Sequence, residues 1–89
     1  MEKAVVTVMG NDKVGIVAGI TKELAANNCN ILDISQTLRQ GIFAMILVIE
    51  LPKTLDLLLL RDRLETVGAE LGVRVLLQHA DLFQYMHRI

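Results

Sequence analysis

Tryptophan is absent from this chain, and Phe43, Phe83 and Tyr85 are its only aromatic residues, 3% of 89 positions. Recognition by stacking on bases or sugar rings therefore has little to work with. A single cysteine, Cys29, excludes an intrachain disulfide and a paired-cysteine metal or redox motif. Placed at a helix-to-strand turn, it reads as a small buried or half-buried packing residue. Charge of one sign is not concentrated either: nine basic and ten acidic residues are interspersed, for a net charge of −1. A nucleic-acid backbone would find no basic patch able to displace its counterions. Long apolar runs are also missing, since the longest, Ile42 to Ile49, falls far short of the roughly 20 residues that span a bilayer. The N-terminus lacks the apolar segment of a secretory signal, and a cytoplasmic protein is expected.

What is present is aliphatic. Apolar residues make up 53% of the chain, mostly Val, Ile, Leu and Ala. A chain of this length forms one domain, here residues 1–89, and folding is expected to bury roughly 64% of its extended surface in a single core.

The pattern of those residues sets an order of elements. Ala4 to Met9 is apolar on both faces apart from Thr7, as in an interior strand. From Val14 to Asn27 the period changes to helical, with Ile16, Val17, Ile20 and Leu24 on one face, and Asn27 and Asn28 end the helix. Leu32, Ile34 and Leu38 alternate with Asp33, Ser35, Thr37 and Arg39, which describes an edge strand with one wet face and Gln36 as a polar interruption on the dry one. Gln40-Gly41 is a tight turn into Ile42 to Leu51, an apolar central strand that Pro52 stops. Thr54 is positioned to cap a second helix, in which Leu57, Leu60, Leu64, Val67 and Leu71 form the buried stripe and Arg61 and Glu65 pair outside. Gly72 ends it, Val73 to His79 supplies a fourth strand, and Asp81 suits the start of a short terminal helix over residues 81–89.

The order βαββαβ, with right-handed crossovers, implies an α+β, ferredoxin-like sandwich: a four-stranded antiparallel sheet, two helices on one face, and a short C-terminal helix added. No helix of the chain is left for the other sheet face, which carries apolar residues of the two inner strands. A second copy, or a neighbour's C-terminal helix, is the simplest cover.

This plan hosts many activities, so the sites must choose among them. The inner strands carry only Phe43 where RNA-binding modules carry stacking aromatics. The loop Gly10 to Gly15 has no cysteines for metal transfer and no arginine to clamp a phosphate, Lys13 being its one cation. Among His79, His87, Cys29, Asp12 and Asp33, no pair has a spacing that enforces contact, and a terminal His and a strand-end His are ordinary polar surface groups. No catalytic residue, metal site or cofactor is expected.

The segment Gly10-Asn11-Asp12-Lys13-Val14-Gly15-Ile16-Val17 remains. It joins strand to helix through two glycines and an aspartate, so another molecule can approach the backbone where the first helical amides lack partners. Together with Ala25-Ala26-Asn27-Asn28-Cys29-Asn30-Ile31-Leu32-Asp33-Ile34, this loop resembles the ACT domains, small ligand-binding regulatory modules. The resemblance covers residues 3 to 79 and is closest to free-standing single-ACT bacterial proteins, themselves similar to the ACT modules of the glycine-cleavage repressor type. That family's loop commonly has proline where Val14 stands.

The resemblance implies a homodimer or higher homo-oligomer that holds an amino acid or related metabolite between subunits and signals to a partner protein. The residue chemistry fits a zwitterion. Amides near Gly15 and Ile16 suit its carboxylate, Asn11 and Asp12 its ammonium, and Lys13 and Val14 complete the loop. Ser35 and Gln36 on the edge strand are further candidates. Asp12 is also suited to cap the first helix, a role that competes for the same amides, and Gly15 to let that helix pack closely on the sheet. The alternative function is a ligand-free interaction or oligomerisation module that uses the open sheet face and the C-terminal helix.

Overall fold

In the computed structural model, which describes residues 2–81, six elements follow one another: β1 (Lys3–Asn11), α1 (Ile16–Ala26), β2 (Asn30–Arg39), β3 (Ile42–Glu50), α2 (Leu57–Leu71) and β4 (Val73–His79). The strands form one antiparallel sheet in the order β2-β3-β1-β4, the ferredoxin-like plan that the element order implies. The expected terminal helix over 81–89 lies outside the described residues, Asp81 excepted.

Strand alternation sorts the side chains between two faces. Ala4, Val6 and Val8 of β1 meet Phe43, Met45, Leu47 and Ile49 of β3 in the core, under Ile16, Ile20 and Leu24 of α1 and Leu60 and Leu64 of α2. These helical residues recur every four positions, so one stripe of each helix is removed from water at about 1.5–3 kcal/mol per large side chain. Where α2 crosses β4 only a glycine fits, because a Cβ on Gly68 would lie 2.6 Å from Val75 Cγ2. The two helices are tied at one end by a polar knot. The Asn27 amide donates to the Glu23 carboxylate at 2.7 Å, and its carbonyl accepts from Arg63.

The hairpin β2–β3 turns on Gln40 and Gly41, both at positive φ (53° and 80°), which matches the twist of the strands it joins. Asn27 and Asn28 do end α1, Asn28 at φ 60°, and Gly72 ends α2 in the left-handed conformation. Thr54, however, is not the cap of α2. The chain makes a turn closed by the Leu55 amide on the Pro52 carbonyl, and the cap falls on Asp56, whose carboxylate accepts from the Leu58 amide at 3.0 Å.

β2 is an edge strand, but neither of its faces is dry. Beyond Ile31 every residue of it is exposed, including Ile34 and Leu38 on the helix side. α2 seats on β4 and α1 on α2, which leaves the helix-side surface of β2 uncovered. A bulge between Ile31 and Asp33 also shifts the register, so Leu32 is the extra residue and inward-facing positions change from odd to even.

Candidate functional site

The uncovered side of β2 and the start of α1 bound a cleft of about 450 Å³. Its wall on one side is the β1–α1 loop, Asp12 to Ile16, and on the other Gln36, Thr37 and Leu38, with Phe43 of β3 as part of the lining. The loop is held there by the backbone: the Asp12 amide donates to the Gly41 carbonyl at 2.8 Å, fastening it to the β2–β3 turn.

That fastening decides the role of Asp12. The helix does not begin at Val14, and Asp12 does not cap it. α1 starts at Ile16 after Gly15, which stands at φ 95° as the N-cap and offers no side chain. With the loop tied to the hairpin, three residues separate Asp12 from Ile16, and no side chain caps the first turn. The amides of Ile16, Val17 and Ala18 begin the helix with no side-chain cap, at its positive end and on the cleft wall. Nor does Gly15 serve close packing, since nothing lies within 4 Å of where its Cβ would be. Its positive φ is what the turn into α1 requires.

Of the eight residues singled out from the sequence, Asp12, Lys13, Gly15, Ile16 and Gln36 come together around this cleft. Three do not. Val14 is 97% exposed and is not part of the lining. Asn11 pairs with Ile42 and Ser35 with Ile46, both on the opposite sheet face from the core side chains. Ser35 and Gln36 are thus on opposite sides of the sheet. Leu38 and Phe43 were not anticipated, although a two-residue turn at Gln40-Gly41 makes them register partners, so the signal was in the sequence. Val17 and Ala18 follow from the late start of α1.

The residues considered for catalysis are dispersed. Asp33 on β2 and His79 on β4 lie on opposite edges of the sheet. Among the described residues, His79 has the Glu2 and Asp81 carboxylates at 3.6 and 3.8 Å, and its Nδ1 accepts from the Asp81 amide at 3.3 Å. Cys29 is buried, its thiol held above the ordinary value of 9.0 by desolvation, the opposite of an activated nucleophile. Among the described residues, no group of three or more acidic, His or Cys side chains is arranged to hold a metal, and no helix is long and apolar enough to cross a membrane.

Sheet order, helix placement and a cleft at the first strand-to-helix junction define a ferredoxin-like α+β domain. The model of the ACT domain matches residues 2–78, and the chain belongs to the ACT-domain family, whose members are regulatory small-molecule-binding modules. A UPF0237 protein of Methanocaldococcus jannaschii is 53% identical over 90 residues, covering 100% of both chains. The solved ACT domain protein from Streptococcus pneumoniae superposes with a TM-score of 0.84 at 40% identity, over 93% of this chain and 94% of that one. A putative glycine cleavage system transcriptional repressor shares the fold, with a TM-score of 0.72 at 19% identity over 89% of this chain and 46% of that one.

Proposed function

We propose that this protein is a non-enzymatic regulatory module that binds an amino acid or a related small zwitterion in the cleft between the β1–α1 loop and β2. Its bound state would then be read by a partner protein. The observation that carries this reading is the uncapped start of α1 on a cleft that Asp12 and Gln36 also line. Helical amides supply donors for a ligand carboxylate, Asp12 accepts from an ammonium a few ångströms away, and Gln36 offers one donor and one acceptor opposite. Lys13 and the apolar lining of Ile16, Leu38 and Phe43 leave room for a short side chain. The outer edge of β2 leaves the cleft open to a neighbouring subunit, in a family whose members commonly oligomerise.

For such binding to regulate anything, the ligand must favour one oligomeric or partner-competent state over another. A thermal-shift screen of the common amino acids tests the first step. A ligand present at a hundred times its Kd stabilises by about 2.7 kcal/mol, a rise on the order of 10 °C or more for a domain of this size. Asp12→Ala is expected to abolish that rise. Because the Asp12 carboxylate caps nothing, the unliganded variant should melt within about 0.5 kcal/mol of the wild type. A wild-type protein that no amino acid stabilises would count against the reading.

A further inference from the structure

The cleft carries more polar groups than the ammonium and carboxylate common to all amino acids can use. Among the described residues that line it, Asp12 and Lys13 alone are charged, and neither has an ion-pair partner among the described residues. A zwitterion bound as proposed above places its ammonium on Asp12 and its carboxylate on the first amides of α1. Lys13, whose ammonium has three donors, and Gln36 are then left over on the cleft wall. The apolar lining has less to offer. Ile16 and Phe43 are already covered, at 2% and 6% exposed, so an aliphatic ligand side chain would remove new surface from water only at Leu38, 58% exposed, and at part of Val17. A cleft of about 450 Å³ has room for a ligand well beyond the size of glycine.

We infer, on the reading of the cleft given above, that the ligand is a dicarboxylic amino acid whose side-chain carboxylate pairs with Lys13. Charge decides between the classes of amino acid. One carboxylate, one ammonium and the positive end of α1 complement one ammonium and two carboxylates, so glutamate or aspartate meets an opposite charge at each of its own. An aliphatic amino acid would cover part of Lys13 without replacing the water that solvates it, a cost that nothing offsets. A basic one would set a second cation against Lys13 at the same helix end. The methylene groups of a dicarboxylic side chain need only apolar contact, which Leu38 and Phe43 supply. Because Lys13 is exposed, its pairing gives a preference rather than absolute selection.

Titration calorimetry of the full chain with L-glutamate and L-aspartate, each against its amide of the same shape, L-glutamine and L-asparagine, tests the assignment. At least one acid should bind about tenfold tighter than its amide at low ionic strength, and raising salt from about 20 to about 500 mM should shrink that margin. Lys13→Met keeps the length of the side chain without its charge and should bring the acid down to the level of its amide. Lys13→Glu should reverse the order, with the amide tighter than the acid. Both are surface substitutions away from any ion pair among the described residues, so the fold should tolerate them. An amide or L-norvaline that binds as tightly as the acid, and whose binding Asp12→Ala abolishes, would overturn the ligand class and leave the cleft reading standing. A loss on Lys13→Met that falls equally on acid and amide would do the same, since Lys13 would then serve the shape of the loop. Binding of none of these amino acids would overturn the cleft reading itself, and the ligand class with it.

Discussion

The two helices of this domain begin in opposite ways. At α2 the chain supplies its own cap: Asp56 is extended and its carboxylate takes the Leu58 amide. At α1 the N-cap is a left-handed glycine with no side chain, and the loop before it is tied not to the helix but to the β2–β3 turn. A chain that caps one helix and leaves the other bare has not simply failed to find a capping residue, since Asp12 is available four positions before Ile16 and is held elsewhere. The first residues of α1 line their cleft, whereas the hollow of about 430 Å³ beside the start of α2, lined by Glu2 and by Leu51, Pro52, Lys53 and Leu55, takes in none of that helix's residues, which is why the first helix and not the second is assigned the ligand.

That contrast can be broken from the closed side first. Gly68→Ala should cost about 2–3 kcal/mol, because the added Cβ meets Val75 Cγ2 at 2.6 Å and the Val73 carbonyl at 3.0 Å, and α2 must lift from β4. A calorimetric melting point lower by on the order of 10 °C would show it, with the cleft unaffected. Gly15→Ala acts on the open side by strain alone. Nothing crowds the new Cβ, so the cost of φ 95° is about 1–2 kcal/mol, read from urea unfolding, and any ligand-induced stabilisation should fall with it. Asp56→Ala removes the cap of α2 and should lose about 1 kcal/mol without changing the response to amino acids. If it changed that response as much as Asp12→Ala does, the distinction between the two helix starts would fail.

The smallest effect belongs to the far end of α1, where Cys29 follows the terminating asparagines. Burial raises its pKa above the ordinary 9.0. An acid held protonated by folding contributes stability that is complete below the unfolded thiol's range and is lost as pH climbs through the folded value. Wild-type stability should therefore decline above about pH 9 more steeply than that of Cys29→Ala, measured by urea unfolding across that range.

Much of the fold was legible because periodicity is a local consequence of where side chains must point. The stripe Leu57, Leu60, Leu64, Val67 and Leu71 announced α2, and Gln40-Gly41 announced the hairpin. Helix starts were less legible. Thr54 and Asp56 are both good caps two residues apart, and the turn after Pro52 chose between them. Likewise Asp12 satisfies the local rule for a cap, yet its amide is claimed by a carbonyl nearly thirty residues away. In β2 the bulge after Ile31 changed the parity of the strand, and no pattern in Asn30 to Arg39 marks it.

The site followed the same division. By itself the sequence determined which residues stand at the first strand-to-helix junction, that they are small and polar, and that no cysteine pair or clamping arginine accompanies them. Only the tertiary structure decided that Gln36 faces the loop while Ser35 turns its back on it, that Leu38 and Phe43 join the lining, and that Asp12 leaves the helix uncapped. Those facts depend on strand register, on a hydrogen bond between distant backbone groups and on α1 seating against α2 rather than over β2, none of which is encoded within a few neighbouring residues.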